Sequence, residues 1–216
     1  MSDQSSDDTE RFEDARSVPR VAEGSLPFRR IRTRASTWTF EPNPVRRYVE
    51  AWLEGRVLNL FAGATKLRHN DEIIRNDLDP KRDADYHFDA VKAHEQFEAN
   101  SFDMALLDPP WNSRKSREKY RGEYQGHFTA VKDAVKGLVR PGGHILTVGY
   151  DTVGMGKQRG YEPIAVASLC YGGDIDDALI LVEQRQEHDF VSCMGDGTDC
   201  SVDTGNKCPQ EGNQDV

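Results

Sequence analysis

Phe102-Asp-Met-Ala-Leu-Leu-Asp-Pro-Pro-Trp111 runs a short apolar stretch into an abrupt stop. An apolar run of this length, closed by prolines, fits a strand buried on both faces. Pro109 and Pro110 carry no amide hydrogen for a ladder, so the strand ends at Leu107. Upstream, Arg56-Val-Leu-Asn-Leu-Phe61 reads as a second buried strand ending in the turn Ala62-Gly63-Ala64. Glu72-Ile-Ile-Arg-Asn76 reads as a third, ending at Asp77. Downstream, Arg117 to Val139 carries apolar residues at helical spacing (Tyr120, Tyr124, Phe128, Val131, Val135, Leu138) and stops at Arg140-Pro-Gly-Gly143. Gly143 to Tyr150, Ile164 to Cys170 and Ala178 to Glu183 supply three further strands. Strand, turn, helix and strand in this order predict an α/β domain with a mostly parallel, doubly wound sheet. Ligands of such sheets sit at the carboxyl ends of the strands, so the residues just after strands carry the functional question.

The chain has 216 residues, enough for one domain with tails. Residues 1–26 are rich in Ser, Asp, Glu and Arg without apolar period, and 186–216 are rich in Gly, Asp and Asn. Neither can bury enough surface to offset its ordering entropy, so both are expected to be disordered tails around a domain at 27–185. There is no internal repeat and no run of about 18 apolar residues to cross a membrane. The acidic start MSDQSSDDTE lacks the basic and apolar parts of a secretory signal. Four cysteines, Cys170, Cys193, Cys200 and Cys208, are too few and too bunched to staple the chain, which predicts a reducing, cytoplasmic setting. Acids outnumber bases 37 to 28, for a net charge of −9, and there are only 9 Lys beside 19 Arg. Such a surface suits a halophilic, salt-rich cytoplasm, where screening blunts self-repulsion.

Three strand ends carry chemistry. In Asn59-Leu-Phe-Ala-Gly-Ala-Thr-Lys66 a glycine straight after a buried strand permits close backbone approach to a ligand, and a following helix would offer amide donors. Read alone, a simple strand-to-helix turn explains it equally well, because the G-x-G-x-x-G spacing is absent. Fourteen residues after Gly63, Asn76-Asp77-Leu-Asp79 places an acid where one can accept both hydroxyls of a ribose; a solvated turn or a helix cap is the alternative. At Asp108-Pro109-Pro110-Trp111 the prolines stiffen the corner. There the Asp108 carboxylate and a neighbouring proline carbonyl can present two acceptors to one exocyclic NH₂ group. Trp111 offers a flat face to the base that carries it.

At these residues the sequence resembles the class I S-adenosylmethionine-dependent methyltransferases, specifically the amino-methyltransferases of adenine N6 and cytosine N4, across about residues 38–183. NLFAGAT at 59–65 resembles the family's methionine-binding glycine motif, and NDLD at 76–79 its ribose-binding acid. Asp89-Ala90 is similar to the pair that meets the cofactor's adenine, and DPPW at 108–111 to the catalytic D/N/S-P-P-aromatic motif. The segment Thr37 to Pro44 resembles the one that closes over the cofactor.

The resemblance implies a Rossmann-like domain with a seven-stranded, mostly parallel sheet. It also implies S-adenosyl-L-methionine bound by Trp38, Phe40, Asn59, Phe61, Ala62, Gly63, Asp77, Leu78, Asp89, Ala90 and Asp108. Asp108, Pro109, Pro110 and Trp111 would then form the catalytic corner, methylating an exocyclic amino group, with N6 of adenine in DNA the leading target. An RNA base, a protein glutamine or asparagine amide, and a catalytically inactive binding subunit are the alternatives. Asn59 replaces a customary acid, the second glycine is missing, and the spacings from 63 to 77 and 77 to 89 are short, which predicts shortened early crossovers.

A nucleic-acid partner requires local basic patches in an acidic chain. Arg29, Arg30, Arg32 and Arg34 precede the core, while Arg114, Lys115, Arg117 and Lys119 follow the DPPW corner and are expected to hold phosphates. An ordinary solvated helix face is the alternative for the second group. The domain leaves no room for a recognition module, so a homodimer or a specificity partner would have to supply one. His188, Cys193, Cys200 and Cys208 lack a C-x-x-C knuckle, and no metal is expected there.

Overall fold

The computed structural model describes residues 25–110, 128–150, 154–173 and 175–187. In chain order they form β1 (Phe28–Arg32), α1 (Asn43–Glu50), β2 (Val57–Asn59), β3 (Ile73–Arg75), a 3-10 turn (Ala90–Lys92), α2 (Ala93–Gln96) and β4 (Phe102–Leu107). Then come α3 (Phe128–Val135), β5 (Val139–Gly149), a second 3-10 turn (Lys157–Arg159), β6 (Tyr161–Cys170) and β7 (Ala178–Arg185). The expected seven-stranded, mostly parallel sheet is present, in the order β1-β6-β7-β5-β4-β2-β3. β7 alone runs against its neighbours β5 and β6.

β4 lies between β2 and β5 and is buried along nearly its whole length, as its apolar run requires. Alternation sends Met104 and Leu106 to one core, with Val45 and Val49 of α1. Ala105 and Leu107 go to the other, with Val131 and Val135 of α3, and Phe102 joins them out of alternation because the register shifts between Phe102 and Met104. Each face of the sheet thus has its own apolar layer.

Three expectations need correction. Of the helix read over 117–139, residues 117–127 lie outside the described part. The described helix ends at Val135, and Val139 already belongs to β5. The glycine-rich stop Arg140-Pro-Gly-Gly143 lies inside that strand, absorbed by a register shift between Phe102 and Met104. Gly143 is needed there because a Cβ would come within 2.5 Å of the Asp103 carbonyl oxygen. No helix follows Gly63, so the glycine turn has no helix start to lend amide donors. The shortened early crossovers expected from the spacing are present: between Asn76 and Ser101 the described chain has a 3-10 turn and the four residues of α2, with a parallel bridge from Asn76 to Tyr86.

β1, read only as a basic stretch, is an edge strand paired with β6 in parallel. Between β5 and β6 the described residues contain no α-helix. Buried Glu183 of β7 instead accepts hydrogen bonds from Met155 N (2.6 Å) and Gly156 N (2.9 Å), while Lys132 Nζ donates to Gly154 O (3.1 Å). No described helix is long and apolar enough to cross a membrane.

Candidate active site

β2 ends at Asn59, and the turn beyond it is tied to both neighbouring strands. Leu60 N donates to Leu106 O (3.2 Å) and Ala62 N to Asn76 O (2.9 Å). Gly63 N donates to Asp77 Oδ2 (2.9 Å). Gly63 has φ +56°, and a Cβ on it would sit 2.6 Å from Trp38 Cε3, so the turn demands glycine twice over. Trp38 therefore packs directly on the turn, and the Arg82 guanidinium lies 4.8 Å from its ring centroid. Phe40, expected beside Trp38 at the cofactor, goes instead to the core with Val45 and Val49 and is 4% exposed. Its apolar ring gains more from α1 than from an open cleft.

The acid of the NDLD segment is buried. Asp77 accepts from Gly63 N with one oxygen and from Asp79 N (2.9 Å) with the other, while its own carbonyl meets His87 Nδ1 (2.9 Å). Each carboxylate oxygen has a second lone pair for a further donor. Asn76, the residue beside it, was not given a role from sequence. Its Nδ2 donates to Leu60 O and Phe88 O (3.1 Å each), and its Oδ1 accepts from Phe88 N (3.0 Å). One buried amide thus fixes the β2 turn to the chain after β3. Arg75 adds Nη2 bonds to Gly63 O (3.1 Å) and Thr65 O (3.5 Å). Leu60, Phe61, Asn76, Asp77, Leu78, Phe88 and Ala90 line a narrow, largely closed cleft. Asp89, between the lining residues Phe88 and Ala90, caps the 3-10 turn by accepting from Val91 N (3.2 Å).

β2 and β4 are adjacent and parallel, with Asn59 opposite Leu106, so the Gly63 turn and the Asp108 corner leave the sheet side by side at the same edge. Asp108 is half-buried, Pro109 buried and Pro110 partly exposed. Tyr150 follows β5 and Tyr171 follows β6, also at this edge. Burial first, and then the negative charge of Asp108, push the Tyr171 phenol well above its ordinary value. Trp111, Arg114, Lys115, Arg117 and Lys119 lie outside the described residues, as do His188, Cys193, Cys200 and Cys208. Among the described residues no trio of His, Cys, Asp or Glu is arranged to hold a metal.

Whether these residues suit a bound adenosine carrying an amino acid can be read from three features. The cleft joins apolar walls (Phe61, Leu78, Phe88) to the Asp77 carboxylate. Trp38 packs on the glycine turn where a Cβ would sit, so an aromatic face closes that side of it. Two buried polar atoms beside it, Asn59 Oδ1 and Thr65 Oγ1, have no hydrogen-bond partner among the described residues, an expensive condition unless something supplies one. The residues fit such a molecule. Thr65 and Asn76 fall within the NLFAGAT and NDLD segments but are given no role of their own by the sequence, and Tyr171 belongs to no motif; only the position of Asn76 beside the acid hints at its clamp.

No protein-family model matches the chain, and no curated protein matches it. Among solved structures it is similar to TrmN from Thermus thermophilus, at 18% identity and a TM-score of 0.48, over 68% of this chain and 49% of that one. It is also similar to the N-methyltransferase NodS from Bradyrhizobium japonicum WM9, at 16% identity and a TM-score of 0.41, over 62% and 86%. A third is the 1,6-didemethyltoxoflavin-N1-methyltransferase of Burkholderia thailandensis with bound S-adenosylhomocysteine, at 13% identity and a TM-score of 0.45, over 61% and 71%. The chain spans about half the length of TrmN.

Proposed function

We propose that the chain is an S-adenosylmethionine-dependent N-methyltransferase acting on an exocyclic amino group of a nucleic-acid base, with N6 of adenine in DNA as the leading substrate. The observation that supports this reading is the pairing of β2 with β4, which sets the glycine turn and its buried acid beside the Asp-Pro-Pro corner. When bound, S-adenosylmethionine supplies an activated methyl group. On this reading Asp77 holds ribose hydroxyls, Phe61, Leu78 and Phe88 enclose a flat ring, and Asn59 and Thr65 meet the polar amino-acid end.

Asp108 accepts an N–H of the acceptor amine, and the Pro109 carbonyl takes the other. An aromatic amine is a poor nucleophile because its lone pair is delocalised into the ring. Two acceptors favour tetrahedral character at nitrogen and stabilise the positive charge it gains. Alignment supplies the rest, an effect worth several kcal/mol. Trp111 stacks on a base that is unpaired or flipped from its duplex.

Asp108→Ala is expected to lower methyl transfer at least 100-fold while cofactor binding remains measurable by calorimetry. Full activity in that variant overturns the mechanism. Incubation with labelled cofactor and DNA, RNA or bulk protein assigns the substrate. Label on protein alone favours an amide acceptor, and cofactor binding without transfer to any of the three favours an inactive subunit.

A further inference from the structure

β1 forms the edge of the sheet, with β6 on one side and no described strand on the other. From Ser25 to Phe40 the chain has four arginines and no acid, within a protein of net charge −9. Arg29, Arg30, Arg32 and Arg34 are all exposed. Alternation puts Arg30 and Arg32 on the face opposite buried Ile31. Thr33 N donates to Cys170 O (3.1 Å), which carries the pairing past the strand end and Arg34 with it. Alternate residues of a strand recur every ~6.5 Å, comparable with the separation of successive phosphates along an extended nucleic-acid strand.

Orientation adds to charge. β1 is parallel to β6, so Arg32 and Arg34 lie at the edge where Tyr171 and Asp108 also emerge. Four strand spacings separate β1 from β4, about 19 Å, a distance a few nucleotides span. Arg30 is braced by its Nε–H to Cys170 Sγ (3.0 Å). Asp177 lies on this side, and its carboxylate accepts from Tyr171 N and Ser168 Oγ (3.3 Å each). Charge on an edge strand also discourages edge-to-edge pairing. That role accepts either sign, whereas all four charges here are positive in a chain whose acids outnumber its bases 37 to 28.

We propose that β1 and the residues just after it form a phosphate-binding rail, in which Arg30, Arg32 and Arg34 hold the nucleic-acid backbone and lead the strand toward Asp108. This rests on the nucleic-acid reading above. The test is fluorescence anisotropy of labelled single-stranded DNA, duplex DNA and RNA across a salt series, with the full chain. Arg32→Gln together with Arg34→Gln is expected to weaken binding about tenfold and reduce the slope of log K against log salt by about 1.4–1.8. Arg32→Lys with Arg34→Lys should preserve the slope. Heat of S-adenosylmethionine binding, unchanged in both, reports that the domain is folded. Wild-type binding whose affinity and slope the glutamine pair leaves unaltered overturns the rail and spares the nucleic-acid reading. A wild-type chain that binds the cofactor and none of the three nucleic acids overturns both.

Discussion

At Gly63 a left-handed backbone and a packed indole make the same demand. Gly63→Ala places a Cβ at φ +56° and 2.6 Å from Trp38 Cε3. A loss of about 1–3 kcal/mol is expected, with weakened cofactor binding. Adding Trp38→Ala should recover the part due to collision and leave the part due to backbone strain, a separation that thermal unfolding of the three variants can read. Asp103 makes a different kind of contribution. It accepts from Arg140 Nε (2.5 Å) and Arg56 N (2.7 Å). Arg140 foremost, working against partial burial, holds the Asp103 carboxyl below its ordinary value. The unfolded chain then takes up this proton at higher pH than the folded one. Stability from Asp103 is therefore complete above about pH 4 and fades as pH falls through the lowered folded value. Asp103→Asn is expected to cost about 1–2 kcal/mol at neutral pH and to flatten the acid limb of urea midpoints measured below about pH 4.

The loops between strands are held by buried side chains, where longer crossovers would have used helices. Asn76 bridges three backbone groups of two separate segments. Asn76→Ala should cost about 2–4 kcal/mol and loosen the cleft, seen as a lower Tm together with reduced heat of cofactor binding. An unchanged Tm would show that the clamp is dispensable. This pattern explains what could be read from the letters and what could not. β2, β3, β4, β6 and β7 were legible because each is a short apolar run stopped by glycine, acid or proline. β1 was not, since FRRIR offers a single buried residue, Ile31, and its strand conformation comes from pairing with a segment far along the chain. The early boundary of β5 was hidden because Pro141-Gly142-Gly143 mimics a helix stop while serving as an irregular strand entry. At the site, Gly63, Asp77 and Asp108 stood out by position after strands. Phe40 misled, because an aromatic near a motif looks the same whether it faces a ligand or a core.

Across the whole molecule the charge balance sets the conditions under which the fold is content. With acids at 37 against 28 bases, raising salt from about 0.1 M to 1 M shortens the Debye length from about 10 Å to about 3 Å and mutes self-repulsion. Tm is expected to climb by about 5 °C or more over that range in KCl. A flat or falling curve would remove the salt-adapted reading. The sheet order carries a further consequence for biosynthesis. Arg30 meets Cys170 from 140 positions away, so β1 leaves the ribosome long before its partner exists. Throughout translation it must wait without that partner, a state prone to stick to neighbouring nascent chains. Its guanidinium groups keep that waiting segment hydrated and repelled from copies of itself until β6 arrives to complete the domain.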